Sequence, residues 1–322
     1  MRPMPLLQLI HAYRACMDIR TLRWFQQVAD GATVTEVGGI ELVSQPAISR
    51  ALARLDAEVG APLLRRHGRV LRMTAAGSAF KRHVDEVLHR LDDGIAAVAQ
   101  TVDPELGTVR LGFQLSLATW LVPDVVRAFR AAHPGVQLAL TQVADGDADR
   151  RLDDGSVDLL LSAARTRPGL ARREHLLAEP LRIALAADHP LAGAASLRIE
   201  QLRDEDFLVL REPAALRERT VALGEAAGFA PRIGFEGDDV ATLAGLVAAG
   251  LGVALLPSSV RSDPSAPNAA LRLVPLEPAI LRDIAVAWVR ERPLLPAAAL
   301  LRDELVARGR DGSLERLLAD RG

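Results

Sequence analysis

Residues 43–77 carry the clearest hydrophobic pattern in the chain, that of an amphipathic helix followed by a basic turn. Apolar side chains recur from Ile48 at steps of four, three and four residues, a spacing that places them on one face of a helix. That face consists of Ile48, Leu52, Leu55 and Val59. Gln45, Ser49 and Arg50 fall on the other side. The pattern predicts a helix that packs by one face and presents Gln, Ser and Arg side chains to a partner.

Two shorter helices are predicted before this one. Apolar residues recur at helical spacing from Ile19, which predicts the first. Thr33 and Glu36 form a capping box at the start of the second, which we expect to run to about Ile40. The Gly38-Gly39 pair weakens that helix by roughly 1 kcal/mol per glycine relative to alanine.

The segment after the second helix completes a winged helix-turn-helix. Ser44 is a good N-cap for the third helix, and Pro46 is tolerated in its first turn. A short basic hairpin is predicted around His67-Gly68. Three helices and a hairpin of this kind predict a DNA-binding domain over residues 17–76, in which glutamine and arginine meet base edges and phosphates.

A long helix is predicted next, with a nearly heptad apolar seam. Its residues step by three or four, and they are Phe80, Val84, Val87, Leu91, Ile95, Val98 and Val102. This pattern predicts a linker and dimerisation helix, with a hinge, over residues 77–106, pairing with a second copy of the chain. The alternative is a helix packed on its own domain. Asp103-Pro104 is expected to end it.

From Thr108 onwards predicted strands alternate with predicted helices, the pattern of an α/β domain with an open, mostly parallel sheet. A helix is expected over residues 117–132, and a pair of separate strands is expected near the end, over 271–276 and 284–289. Two similar lobes are expected within residues 107–305. Lobe I takes about residues 107–180 and 270–305, and lobe II about residues 181–269. A cleft between such lobes is the usual place for a small ligand. Residues 1–16 are expected to be a dispensable extension, and residues 306–322 a tail.

Charge is distributed unevenly along the 322 residues, and this supports the DNA-binding assignment. The formal net charge of −2 would argue against nucleic acid if it were spread evenly. Residues 44–82, however, contain eight basic residues against two acidic ones, a local balance of +6. With 49% hydrophobic and 25% charged residues, the chain has the composition of folded domains rather than of a disordered protein.

The N-terminus and the cysteine content predict a cytoplasmic protein. Cys16 is the single cysteine, so no intrachain disulfide can form, as in a reducing compartment. The apolar run at residues 6–10 is too short for a signal-peptide core, and no stretch reaches the length of a membrane helix. We therefore expect no contact with a membrane.

These segments resemble the LysR-type transcriptional regulators along nearly the whole chain from Met17. The DNA-binding domain matches at residues 43–50 (Val-Ser-Gln-Pro-Ala-Ile-Ser-Arg) and 74–77 (Thr-Ala-Ala-Gly), and the α/β domain at residues 107–112 and 249–257. The Ser-Gln-Pro-Ala-Ile-Ser-Arg block with a following wing is the specific feature of this likeness. The sequence departs from the family pattern at Gly38-Gly39 and at Glu41, near a position that is usually apolar.

The resemblance implies a dimer or tetramer that binds an interrupted inverted repeat in double-stranded DNA. Its second domain implies a fold like that of periplasmic binding proteins, in which a small molecule, with an anion as the candidate class, alters DNA contact and transcription by RNA polymerase. By position in the motif, Gln45, Pro46, Ser49 and Arg50 would touch base edges. Residues expected at phosphates are Ser44, Arg65, Arg66 and Arg69.

Candidate effector-binding residues follow from the same likeness and from their positions beside strands. Ser116 and Thr119 lie between the first strand of the second domain and its helix, where hydroxyls and backbone N–H groups favour an anion. The alternative for Ser116 is a simple N-cap. Further candidates are Gln142 and Val143, at the end of the next strand, and Phe207 and Arg211, which enter from the other lobe. Arg211 could pair with an anionic effector, although a solvated surface arginine is the commoner case.

Other motifs indicate no metal, cofactor or catalytic residue. Residues 145–149 imitate the start of a calcium loop, but Arg150 stands where that loop needs glycine and Ser156 where it needs glutamate. The Gly250-Leu251-Gly252 turn lacks the third glycine of a dinucleotide site. The seven histidines are scattered, and no nucleophile motif occurs.

The alternatives to a regulator are a solute-binding protein and an α/β enzyme. Removing residues 1–105 would leave a solute-binding protein functional, whereas it would abolish DNA binding by a regulator.

Overall fold

The computed structural model describes residues 17–67, 70–102, 107–260 and 270–320, and the chain divides into two units. The first unit comprises the described residues up to Ala96 together with Asp154–Ser156, and the second comprises Ala97–Asp153 and the described residues from Val157 onwards. The proposed extension over residues 1–16, the wing residue Arg69 and the hinge at Asp103-Pro104 lie outside the described residues.

The first unit has the predicted order of three helices, a hairpin and a long helix. The hairpin is antiparallel, with Leu64 opposite Met73. The elements are α1 Ile19–Ala29, α2 Val34–Glu41, α3 Gln45–Val59, β1 Leu64–His67, β2 Val70–Met73 and α4 Ala75–Val102. This arrangement is a winged helix-turn-helix followed by a linker helix.

Side-chain caps define where these helices begin. The predicted capping box of α2 is present, with the Glu36 amide donating to Thr33 Oγ1 at 3.2 Å and the Thr33 amide donating to Glu36 Oε2 at 2.7 Å. Hydrogen bonds from the backbone and hydroxyl of Thr33 hold the pKa of Glu36 below its ordinary value. Ser44 occupies the N-cap position of α3, but its hydroxyl makes no capping hydrogen bond, contrary to the prediction. That hydroxyl therefore has no capping role.

The buried face predicted for α3 lies in the core of the first unit. Ile48, Leu52 and Leu55 are buried, and Val59 packs partly buried against the same core. Gly38 explains one departure from the family pattern, because a Cβ there would lie 2.7 Å from the Val43 carbonyl oxygen. A glycine therefore lets α2 approach the start of α3.

The apolar seam predicted along α4 divides into a buried and an exposed stretch. Phe80 packs against the core of the first unit and Val84 is buried in it, together with Leu88, which the predicted seam omitted. Phe80 and Val84 of the predicted seam therefore pack within their own chain. In contrast, Val87, Ile95 and Val98 are exposed, Val98 to 71%.

The second unit contains eight strands and six α-helices among its described residues. The strands are β3 Gly107–Gln114, β4 Val136–Val143, β5 Leu159–Ser162, β6 Ala171–Ala186, β7 Asp206–Leu210, β8 Arg232–Gly237, β9 Ala254–Pro257 and β10 Leu271–Val289. The helices are α5 Leu121–Ala132, α6 Ala148–Asp153, α7 Ala215–Ala226, α8 Val240–Ala248, α9 Pro296–Arg310 and α10 Ser313–Ala319.

The main sheet is mixed, not mostly parallel as predicted. Its order is β4-β3-β5-β10-β6-β9, in which β3 is parallel to β4 and β5 whereas β10 is antiparallel to β5 and β6. The antiparallel pairing arises because β6, with 16 residues, and β10, with 19, run the length of both lobes. The two late strands expected at 271–276 and 284–289 are one strand with a register shift between Pro275 and Ile280. Prolines at 275 and 278 break the apolar alternation there.

Each lobe has its own hydrophobic core. In lobe I, Phe129 of α5 packs in one cluster with Leu301 of α9. The tail predicted from residue 306 is wrong, because α9 continues to Arg310 and α10 buries Leu314 and Leu318 in this core. Among the described residues, none of the helices is long and apolar enough to cross a membrane.

Candidate functional site

The outward side of α3 presents a continuous polar surface. Ser44, Gln45, Pro46 and Arg50 are exposed, and Ser49 is half-buried between them. The Gln45 amide donates to Ser49 Oγ at 3.0 Å. A glutamine amide and a guanidinium at the start of an exposed helix can each form paired hydrogen bonds with base edges in a DNA major groove.

The wing adds positive charge beside this helix. Arg65 and Arg66 of β1 are exposed, and Arg72 of β2 lies directly opposite Arg65 in the hairpin. Like charges that face each other across strands are unfavourable unless an anion lies near them. Arg72 and the exposed Arg54 of α3 were counted in the basic segment but not predicted as contacts.

Lys81 contributes less to this surface than its place in the basic segment suggested. Its ammonium lies 3.0 Å from Asp30 Oδ1 and 2.6 Å from Asp85 Oδ2, and its side chain is 15% exposed. Burial acts against its charge, yet the bonds to Asp85 and Asp30 raise its pKa overall. Lys81 therefore pairs with carboxylates of its own chain.

A cavity of about 680 Å³ lies between the two lobes of the second unit. It lies at the carboxyl ends of the parallel strands β3 and β4 on one side and β7 and β8 on the other. This is where ligands bind in α/β folds, since the loops that follow parallel strands meet there.

Four of the six predicted effector residues line this cavity and two do not. Ser116, Gln142, Val143 and Arg211 are lining residues. Phe207 is wrong as a contact: it is fully buried in the core of lobe II, with its ring 6.3 Å from that of Phe229.

The expected helix N-terminus at Ser116 is also corrected. Residues 115–117 form a 3₁₀ turn, and α5 begins only at Leu121. Ser116 is therefore not an N-cap of α5, and Thr119, in the intervening turn, does not line the cavity. The Ser116 hydroxyl, which does line the cavity, instead accepts a hydrogen bond from a side chain of another strand.

That partner is Arg282 of β10, which forms a buried polar chain at the base of the cavity. Arg282 Nη1 donates to Ser116 Oγ at 2.9 Å, and its Nε and Nη2 donate to Glu179 Oε2 at 2.8 and 2.7 Å. The other carboxylate oxygen of Glu179 accepts from the Ser259 amide at 2.8 Å. Glu179 is fully buried and Arg282 is 8% exposed. These hydrogen bonds connect the two strands that run through both lobes, β6 and β10, with loops of both lobes.

Asp145 joins the two lobes at the opening of the cavity. Its Oδ1 accepts from Gln114 Nε2 at 2.6 Å, and its Oδ2 accepts from the Ala215 amide of the other lobe at 2.9 Å. Next to it, a Cβ on Gly146 would lie 2.7 Å from Pro213 Cγ. The acidic turn that imitates a calcium loop thus caps α7 across the cleft.

The rim carries a second set of paired charges. Arg211 Nε donates to Asp238 Oδ1 at 3.0 Å, and this bond and charge raise the pKa of the guanidinium. Asp239 caps α8 through the Thr242 amide at 2.8 Å. Burial raises the pKa of Asp239, but its bonds to Thr242 outweigh burial and hold the pKa below its ordinary value. No group of three or more metal-ligating side chains occurs in the portion of the chain that the structure describes.

Sequence reasoning did not find Glu179, Arg282 or Asp145. Glu179 and Arg282 are separated by 103 residues, so no local spacing relates them. The available signal was a charged residue at the middle of each of two otherwise largely apolar segments. Asp145 was noticed, but only within a rejected calcium motif.

Comparisons with known proteins agree with this architecture. The family described as "Bacterial regulatory helix-turn-helix protein, lysR family" matches residues 19–78, and "LysR substrate binding domain" matches residues 103–310. The transcriptional dual regulator GltC of Bacillus subtilis (strain 168) is 33% identical over 284 residues, which cover 88% of this chain and 94% of GltC. The uncharacterised HTH-type transcriptional regulator YybE of the same organism is 32% identical, over 90% of this chain and 99% of YybE.

Solved structures share the fold at lower identity. Full-length CbnR in complex with its target DNA has a TM-score of 0.67 and 20% identity, covering 91% of this chain and 100% of that one. A full-length OxyR variant from Pseudomonas aeruginosa has a TM-score of 0.68 and 23% identity, covering 91% and 95%.

Proposed function

The chain belongs to the LysR family of transcriptional regulators, and from this premise we propose that a small molecule in its interlobe cavity controls how α3 and the wing read DNA. The observation that carries the proposal is the presence, in one chain, of an exposed Gln45–Arg50 surface and a cavity of about 680 Å³ whose lining includes both apolar and polar side chains. The full-length relatives are transcriptional regulators, which does not favour the solute-binding or enzymatic alternatives.

The proposed DNA contacts divide by chemistry. Gln45, Pro46, Ser49 and Arg50 meet base edges, while Ser44, Arg65, Arg66 and Arg69 meet phosphates; Arg69 lies outside the described residues. The support is that the first four lie together on the outward side of α3. Base contacts supply sequence discrimination, whereas phosphate contacts supply affinity that falls with salt.

Arg50→Ala should weaken binding to the specific site by about 1–3 kcal/mol and affect random DNA less, because a base contact is lost. The measurement is fluorescence anisotropy with a selected operator and with random DNA. Arg127→Ala is the matched control, since Arg127 is an exposed arginine of the second unit and loses the same charge.

The control variant should bind both DNAs as the wild type does. An equal loss on operator and random DNA in Arg50→Ala would contradict the assignment, because it would make Arg50 a phosphate contact only.

Self-association is proposed to use the exposed apolar residues of α4. Val87, Ile95 and Val98 belong to the predicted, nearly heptad seam and are exposed within the chain. A second copy would cover them as in a coiled coil. Two DNA-binding units in one oligomer match an inverted repeat, and ligand-dependent changes in their spacing would then reach RNA polymerase.

Ile95→Asn should raise the dissociation constant of the oligomer at least tenfold, since each copy loses a buried apolar side chain. Sedimentation velocity over a concentration series measures it. Arg90→Asn is the control, because Arg90 is an exposed residue on another face of α4. If both variants keep the wild-type mass distribution, the α4 seam is not the interface.

A further inference from the structure

The positive groups that face the cavity are matched by carboxylates of the chain itself. At the base, Arg282 donates twice to one oxygen of the buried Glu179. At the rim, Arg211 pairs with Asp238. Asp145 and Asp239 lie at the N-terminal ends of α7 and α8, the places where an anionic ligand would otherwise bind. Among the described lining residues, both arginines and both helix ends are therefore already neutralised.

Hydrogen-bond donors nevertheless remain at the base. A guanidinium has five N–H groups, and three of those of Arg282 are used by Glu179 and Ser116. Because Ser116 Oγ accepts from Arg282, its own proton is left to donate. Ser116 and Arg282 both line the cavity. The base can thus offer donors to a ligand oxygen.

The net charge of the Glu179–Arg282 pair determines whether a charged or an uncharged ligand oxygen is favourable at the base. Glu179 and Arg282 together are neutral and nearly fully buried, so a ligand carboxylate placed against them would add an uncompensated charge in a poorly solvated place. An uncharged carbonyl, amide or hydroxyl oxygen accepts the same hydrogen bonds without that penalty.

We propose that this cavity selects an uncharged ligand that presents a carbonyl, amide or hydroxyl oxygen to Ser116 and Arg282, and that Glu179 sets this preference. The proposal rests on the proposed function only in taking the cavity as the ligand site. It replaces the anionic effector expected from the sequence. Glu179 acts here through Arg282, as a positioning and charge-compensating residue.

The test compares two probes on one carbon skeleton, succinamide and succinate, which differ in charge. Calorimetric titration of the full chain should give a dissociation constant for succinamide at least tenfold lower than that for succinate. In Glu179→Gln the order should reverse, because the charge of Arg282 is no longer compensated and a carboxylate can pair with it. Wild-type protein that prefers succinate, or that binds neither probe, overturns the proposal.

A matched control separates local charge from total charge. Glu236→Gln makes the same substitution at a glutamate that pairs with the mostly buried Arg217, at 2.5 Å, outside the cavity lining. It should keep the wild-type preference for succinamide. If it shifts the preference as far as Glu179→Gln does, the net charge of the unit is responsible and the proposal fails.

A further variant keeps the test decisive if Glu179→Gln does not fold. Glu179→Gln combined with Arg282→Gln leaves a neutral base without the guanidinium, and it should bind succinamide at least tenfold more weakly than the wild type. Unchanged binding would exclude Arg282 as a contact. Operator binding by the same preparations reports the proposed function independently, so a regulator with an anionic ligand would be recognised as such.

Discussion

Arg282→Met should lower the free energy of unfolding of the second unit by about 3–5 kcal/mol, because it leaves a buried carboxylate without its charged partner. Glu179 is fully buried, and among the described residues the Ser259 amide would be its remaining hydrogen-bond donor. Urea unfolding followed by tryptophan fluorescence measures the loss. In a Trp24→Phe background the signal comes from Trp120 and Trp288, both in the second unit.

The double variant Glu179→Gln, Arg282→Met is the control for this prediction. Without either charge, the base should be destabilised much less than in Arg282→Met alone, so that the two substitutions couple by about 2 kcal/mol or more. If the double variant loses as much stability as Arg282→Met, packing rather than charge explains the effect.

Gly77→Ala should destabilise the first unit by about 3 kcal/mol, the upper end of the usual range for overpacking. Gly77 lies in the first turn of α4, where a Cβ would come within 2.0 Å of the Leu63 carbonyl oxygen. The obstacle is backbone at the start of the wing, which cannot rotate away as a side chain can. Thermal and urea unfolding, followed by the fluorescence of Trp24 alone, measure this unit.

Gly94→Ala, on the same helix, should have the opposite sign. A Cβ at Gly94 meets nothing within 4 Å, so alanine there should stabilise the helix by up to about 1 kcal/mol. The pair holds the substitution and the helix constant and changes only the space available. Equal effects at both positions would contradict the close approach of α4 to the wing.

The elements that the sequence predicted well are those specified by local interactions. The capping box at Thr33 and the buried face of α3 depend on residues three or four apart, and both were found where expected. The same holds for the wing hairpin. The two-lobed organisation also followed from the alternation of strands and helices.

The features that escaped prediction depend on long-range contacts. Periodicity could not show that Phe80 and Val84 would pack within the first unit rather than against a second copy. It could not show that Phe207 would turn into the lobe II core, or that Glu179 would meet Arg282 from another strand. In each case the residue type was informative but its partner lay far away along the chain.

Sequence-specific DNA reading by α3 is tested by anisotropy binding of the full chain to the DNA upstream of its own gene and to random DNA, over a salt series. We predict tight binding to the upstream DNA that persists at salt concentrations where random DNA is released, since base contacts from α3 add to phosphate contacts. Equal affinity for the two DNAs, lost together as salt rises, would contradict this prediction, because the exposed face of α3 would then be only a basic patch.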